Sequence, residues 1–205
     1  KSKRSDVDPF IVMDVMEAAR IAEENGKHII HMEVGQPGTP APKIARDFIT
    51  NEINKNNLGY TVSLGLPDLR KKISNLYGEW YNIEVNPKRV VVTTGSSGAF
   101  ILSFSALFDS GDRVGIGSPS YPSYRQILKS LSLETVDIQT KLENRFQPIP
   151  EDIKSNNLNG ILVASPANPT GSMLDKNSLE NLINTAKENN VSFISDEIYH
   201  GIQYE

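Results

Sequence analysis

The 205-residue sequence contains no cysteine. That excludes disulfides, thiolate nucleophiles and cysteine-held metals, and it fits a cytoplasmic protein, where thiols stay reduced. Positive charge is not in excess either: 21 Lys and Arg face 25 Asp and Glu, for a net charge of −4. A broad basic field, the footprint of binding to nucleic acid or an anionic membrane, is therefore missing, and neither is expected as a partner. No run approaches the roughly 18 apolar residues of a membrane-spanning helix. The charged start, Lys1-Ser2-Lys3-Arg4-Ser5-Asp6, is not followed directly by an apolar signal core. His28 and His31 have no partners at metal-binding spacing and read as structural, so no metal site is expected. No internal repeat or low-complexity tract is present. What the chain does have is 38% hydrophobic residues, enough for a sizeable core.

Residues 9–25 have helical spacing, with Val12, Val15, Met16, Ala19 and Ala22 on one face, expected to pack into a core. Residues 29–34 form a predicted short strand. It runs into Gly35-Gln36-Pro37-Gly38-Thr39-Pro40, a stiff loop that is either a connector or a place where backbone meets a ligand. Residues 41–56 read as an amphipathic helix through Ile44, Phe48 and Ile53. A loop over 58–66 leads to a helix over residues 67–81, opened by Pro67. Residues 89–94 are rich in valine and threonine and predict a strand. Gly95-Ser96-Ser97-Gly98 then leads into a helix over 99–107. This layout either presents backbone N–H groups and hydroxyls to a phosphate or simply caps a helix with serine. It matches neither G-x-G-x-x-G nor a P-loop, so a dinucleotide or nucleoside triphosphate is not the favoured ligand.

Further strands are predicted over 114–118, 133–139 and 160–164, and further helices over 122–131, 148–156 and 175–190. Tyr121, at the end of the first of these strands, either stacks on a planar ligand or packs under the next helix. Asn168-Pro169 fixes a turn that can aim the Asn168 amide at a ligand. The chain converges on residues 191–205, where an apolar run (Val191, Phe193, Ile194) meets Ser195-Asp196-Glu197. It reads as a strand buried on both sides with carboxylates at its C-terminal end. Alternation from Arg89 onward predicts an α/β fold: a mostly parallel sheet covered by helices on both faces. Ligands sit at the carboxyl ends of such strands, so the Ser96-Ser97, Tyr121, Asn168 and Asp196 regions can share one crevice.

Taken in order, five motifs resemble the class I and II pyridoxal-phosphate aminotransferases, of the aspartate-aminotransferase-like fold type I. They are Gly59-Tyr60…Gly65-Leu66-Pro67…Leu69-Arg70, Thr94-Gly95-Ser96-Ser97, Pro119-Ser120-Tyr121-Pro122, Asn168-Pro169-Thr170-Gly171 and Asp196-Glu197-Ile198-Tyr199. The resemblance implies an N-terminal arm and part of a small domain over residues 1–45. It implies the N-terminal part of a large cofactor-binding domain over 46–205, incomplete at its C-terminus. It also implies pyridoxal 5′-phosphate as cofactor, amino acid and 2-oxo acid substrates, and a homodimer.

The family's roles map onto the matching positions. Asp196 would pair with the cofactor's ring nitrogen. Tyr199 and Asn168 would bond the ring's phenolic oxygen. Tyr121 would stack on the ring, and Gly95, Ser96 and Ser97 would hold the phosphate. Tyr60 would reach the phosphate in a neighbouring subunit, and the backbone of Gly35 would approach the substrate carboxylate. There is one departure: the family forms its Schiff base on a lysine after the Asp-Glu-x-Tyr segment, and no lysine follows Asp196 here. The expectation is a piece of a longer polypeptide, inactive alone. Two alternatives stand beside transamination: a lyase, decarboxylase or synthase on the same cofactor, and, remotely, a cofactor-binding regulatory domain.

Overall fold

A computed structural model describes residues 2–202; residues 203–205, the tail of the 191–205 stretch, lie outside the described residues. The chain divides into two compact units. One is Ile11–Thr93, and the other is built from the described residues on either side of it.

The first unit holds α1 (Ile11–Glu24), α2 (Lys43–Ile53) and α3 (Pro67–Tyr81). Helix α1 runs out at Gly26, whose φ of +78° suits glycine. Pro67 opens α3, and Asn82 closes it in the left-handed conformation, its N–H returning to the Gly78 carbonyl at 2.9 Å. Arg70 on α3 donates to the carbonyls of Val90 (2.7 Å) and Pro87 (2.8 Å), which fastens the segment that follows.

Three expectations fail in this unit. Residues 29–34 are not a strand but irregular chain. His31 there lies between Glu33 (2.6 Å) and Glu23 (3.0 Å). Residues 89–94 are not a sheet strand either. A 3-10 turn over Pro87–Arg89 leads into extended chain whose Val92 N–H goes to the Leu64 carbonyl of a loop. In both places β-favouring residues form no ladder, and a strand exists only by pairing. The expected core face of α1 is not buried: Val12, Ala19 and Ala22 are half-buried, and Val15 and Met16 are exposed. Its periodicity makes a helix, but among the described residues no second apolar layer closes over it.

The second unit contains a four-stranded, all-parallel sheet, as expected, with order β2-β1-β3-β4 among the described residues. Its elements in chain order are α4 (Gly95–Leu107), β1 (Arg113–Ser118), α5 (Pro122–Ser130), β2 (Glu134–Gln139), α6 (Pro150–Ser155), β3 (Gly160–Ala164), α7 (Lys176–Glu188) and β4 (Ser192–Asp196). Side chains alternate across the sheet. Val114, Ile116 and Leu162 face Phe100 and Phe104 of α4 and Tyr124 and Leu128 of α5. Ile138, Ile161 and Val163 face Ile153 of α6 and Leu182 and Ala186 of α7. Gly115 keeps the second layer close: a Cβ there would stand 2.7 Å from Leu158 Cδ1.

Two local expectations change. Helix α4 begins at Gly95, not at residue 99, so both serines lie in its first turn. Strand β4 is half-buried rather than buried on both sides, because it pairs with β3 alone and forms the sheet's margin.

Candidate active site

Each β–α connection leaves its last residues at the carboxyl margin of the sheet. Asp196 ends β4, in register with Ala164 of β3. Tyr121 immediately precedes α5, with Pro122 at the helix's first position. Asn168 sits in the loop after β3, which closes on itself: Gly171 N–H reaches the Ala167 carbonyl at 2.7 Å, and Ala167 N–H reaches the Ser172 carbonyl at 2.9 Å. Ser96 rides on the first turn of α4.

These ends meet. A cavity of about 160 Å³ is lined by Ser96, Tyr121, Tyr124, Asn168, Asp196, Ile198 and Tyr199. Five of the residues singled out from sequence, Ser96, Tyr121, Asn168, Asp196 and Tyr199, therefore share one wall system. Ser97 and Gly95 stand beside Ser96 on the same turn, both exposed. Tyr60 and Gly35 belong to the Ile11–Thr93 unit and are exposed there, Tyr60 fully.

Asp196 and Glu197 take opposite fates. Glu197 is exposed and accepts a hydrogen bond from the Ser195 hydroxyl at 2.8 Å. Asp196 is only 7% exposed, and a buried acid persists only where hydrogen bonds or a cation answer it. One oxygen, Oδ1, accepts from the Ile198 N–H at 3.1 Å, and Oδ2 accepts from the Tyr124 hydroxyl. Opposite the acid, Asn168 Nδ2 donates to the Tyr199 hydroxyl at 3.3 Å, leaving the phenol's own proton available.

Tyr124 is a residue the sequence reading passed over. It is buried, and burial first, then its hydrogen bond to Asp196, pushes its phenol well above the ordinary range. It therefore stays protonated and serves Asp196 as a donor. Its ring meets Tyr121 edge-on, with centroids 5.4 Å apart and planes at 79°, and Phe10 braces Tyr121 at 5.9 Å. The available signal was its spacing: Tyr124 follows Tyr121 by three positions across the start of a helix, which turns the second ring inward.

At the start of α4 the residue before the helix, Thr94, makes no side-chain cap, and Gly95 takes a φ of +74°. The cavity thus combines a buried carboxylate, an aromatic face, an amide–phenol pair and a helix N-terminus. Such a set suits a planar ligand that is cationic at one end and anionic at the other.

Known proteins show the same arrangement of chain. The family model for aminotransferase class I and II matches residues 27–205. The valine–pyruvate aminotransferase of Mycobacterium tuberculosis is 42% identical over 204 residues, covering 98% of this chain and 53% of that protein. The aspartate aminotransferase of Thermotoga maritima is 33% identical, over 94% of this chain and 52% of that one. A solved structure from Silicibacter pomeroyi, described as a candidate aminotransferase, superposes with a TM-score of 0.90 at 60% identity, over all of this chain and 53% of its own. The chain spans about half the length of the relatives it matches.

Proposed function

We infer that this chain, which belongs to the aminotransferase class I and II family, supplies the cofactor-holding part of an enzyme that moves an amino group from an amino acid to a 2-oxo acid. The cofactor of this reading is pyridoxal 5′-phosphate, which when bound supplies an electron-withdrawing ring that stabilises negative charge at the substrate α-carbon. The residues on the cavity wall fit such a group. Asp196 offers the counter-charge a protonated ring nitrogen needs, held in place from two sides by Tyr124 and the Ile198 N–H. Tyr199 and Asn168 offer hydroxyl and amide donors to the ring's phenolic oxygen. Tyr121 offers a braced aromatic face for stacking. Gly95, Ser96 and Ser97 lie on the turn of α4 where N–H groups and the helix dipole favour a phosphate.

The wider reading includes a homodimer in which Tyr60 serves the cofactor phosphate of a partner subunit. Gly35 meets the substrate carboxylate through its backbone. The domain division into residues 1–45 and 46–205 and a cytoplasmic location belong to the same reading. No lysine follows Asp196, so the 205-residue chain by itself is expected to exchange no amino groups.

The observation that carries this reading is the buried, doubly hydrogen-bonded Asp196 on the wall of a cavity shared with Tyr121 and Tyr199. In the polypeptide that carries this chain, Asp196→Asn should lower amino-acid-dependent formation of 2-oxo acid by about 10²–10³-fold, the scale of losing one preorganised electrostatic partner. Unchanged turnover in Asp196→Asn, or a native polypeptide that does not take up pyridoxal 5′-phosphate, would overturn the reading.

A further inference from the structure

Gln147 lies between the 3-10 turn over Leu142–Asn144 and α6, on no element that faces the cavity, yet it is one of the few buried polar side chains, 3% exposed. A buried amide that far from solvent needs partners for its two N–H protons. Gln147 Nε2 has three acceptors: the Ala164 carbonyl at 3.1 Å, the Ser172 carbonyl at 3.1 Å and the Ser172 hydroxyl at 3.3 Å.

Those acceptors stand at the two feet of one loop. Ala164 is the last residue of β3 and the register partner of Asp196, whose own carbonyl accepts from Ser165 N–H at 3.2 Å. Ser172 closes the far side through the Ala167 N–H bond, and its hydroxyl pairs with Thr170 Oγ1 at 2.9 Å. Between the feet stands Asn168, the residue that donates to Tyr199. One side chain thus clasps both ends of the segment that presents Asn168, at the level of the sheet where Asp196 sits.

We propose that Gln147 is a positioning residue for the cofactor site: it fixes the 165–171 loop and thereby sets where the Asn168 amide points. The proposal rests on the pyridoxal-phosphate reading above. Leucine in place of Gln147 fills similar space but removes the N–H donor that Ala164 and Ser172 share. The loop keeps its own turn bonds, including that from Ala167 N–H to Ser172, but loses its anchor.

The test uses the polypeptide that carries this chain, with pyridoxal 5′-phosphate as probe and equilibrium dialysis as readout. Gln147→Leu should weaken binding about tenfold, the scale of losing hydrogen bonds to buried acceptors. The decisive arm is a double-variant cycle with Asn168→Ala. If Gln147 acts through Asn168, the double variant binds no more weakly than Asn168→Ala alone; if Gln147 only supports the fold, the two losses multiply. The pH midpoint of the bound cofactor's absorption should move in the same direction in Gln147→Leu and Asn168→Ala. Should Gln147→Leu fail to fold, Gln147→Met carries the same cycle, since it too removes the N–H donor to both carbonyls while its flexible side chain adapts to the space. A native polypeptide that does not bind the cofactor sinks the underlying reading and this inference with it. A native polypeptide that binds, beside a Gln147→Leu variant that binds equally well or multiplies with Asn168→Ala, overturns the inference alone.

Discussion

Residues 94–202 bury Phe104, Val114, Ile116, Leu128 and Ile161 almost completely, whereas in Ile11–Thr93 the only buried residue among those described is Ser74. Both regions obey the same sequence rules. Helices α2 and α7 are equally recognisable as amphipathic, yet Leu182 of α7 is buried and Phe48 of α2 is 64% exposed. Periodicity licenses a helix; burial requires a second layer to receive the apolar face. The parallel sheet is that layer for α4 to α7, and its two faces seat helices on both sides.

The sharpest way to break this contrast is truncation in each region. Phe104→Ala should cost about 3–5 kcal/mol, a transfer loss plus a cavity. Phe48→Ala should stay within about 0.5 kcal/mol, as for an exposed side chain. Urea unfolding of both variants decides, and equal losses would abolish the distinction. Next comes Tyr124→Phe, which strips Asp196 Oδ2 of its phenol while keeping the ring. The expected loss is about 1–3 kcal/mol, read in the same unfolding experiment.

Gly65→Ala probes the one tight spot in the loosely buried region. Its φ is +96°, and a Cβ would stand 2.6 Å from Val92 Cβ, so about 1–2 kcal/mol should be lost. The smallest effect is the pH response of His31. Hydrogen bonding to Glu33 first, then to Glu23, raises its pKa above the usual imidazole value, while His31 holds Glu33 below the usual carboxyl range. The histidine contribution is complete below the ordinary imidazole pKa and fades as pH rises through the raised one. The Glu33 contribution is present above the ordinary carboxyl pKa and fades as pH falls through the lowered one. His31→Gln should flatten the alkaline side of that profile, and an NMR titration of His31 that shows no upward shift would contradict the assignment.

The sheet strands after residue 110 were legible because each carries apolar residues, in a run or in alternation, between turn signals, with partners of the same kind to pair with. Residues 29–34 and 89–94 carry similar runs and still form no ladder, because pairing depends on what lies alongside and local composition is silent on that. The meeting of Tyr121, Asn168, Asp196 and Tyr199 was legible through topology, since parallel strands bring their carboxyl ends to one margin; Ser96 joins them although the strand expected before it does not form. The spacing of Tyr124 from Tyr121 hinted at an inward ring, but the hydrogen-bond partners of Tyr124 and Gln147 were not legible. Tyr124 acts on Asp196 from 72 positions away, and Gln147 acts on Ala164 and Ser172 from 17 and 25. Hydrogen bonds of that span leave no periodic trace in a sequence.

The Tyr124–Asp196 bond ties the helix after the first strand to the end of the last one. The bond spans 72 positions and requires β1, β3 and β4 to be paired, so the acid's orientation depends on long-range packing and not on local sequence. A ligand gripped there would stabilise that paired arrangement by mass action. Occupancy of the cavity would then double as a gauge of conformational integrity: a chain with the sheet unpaired could not retain the small molecule.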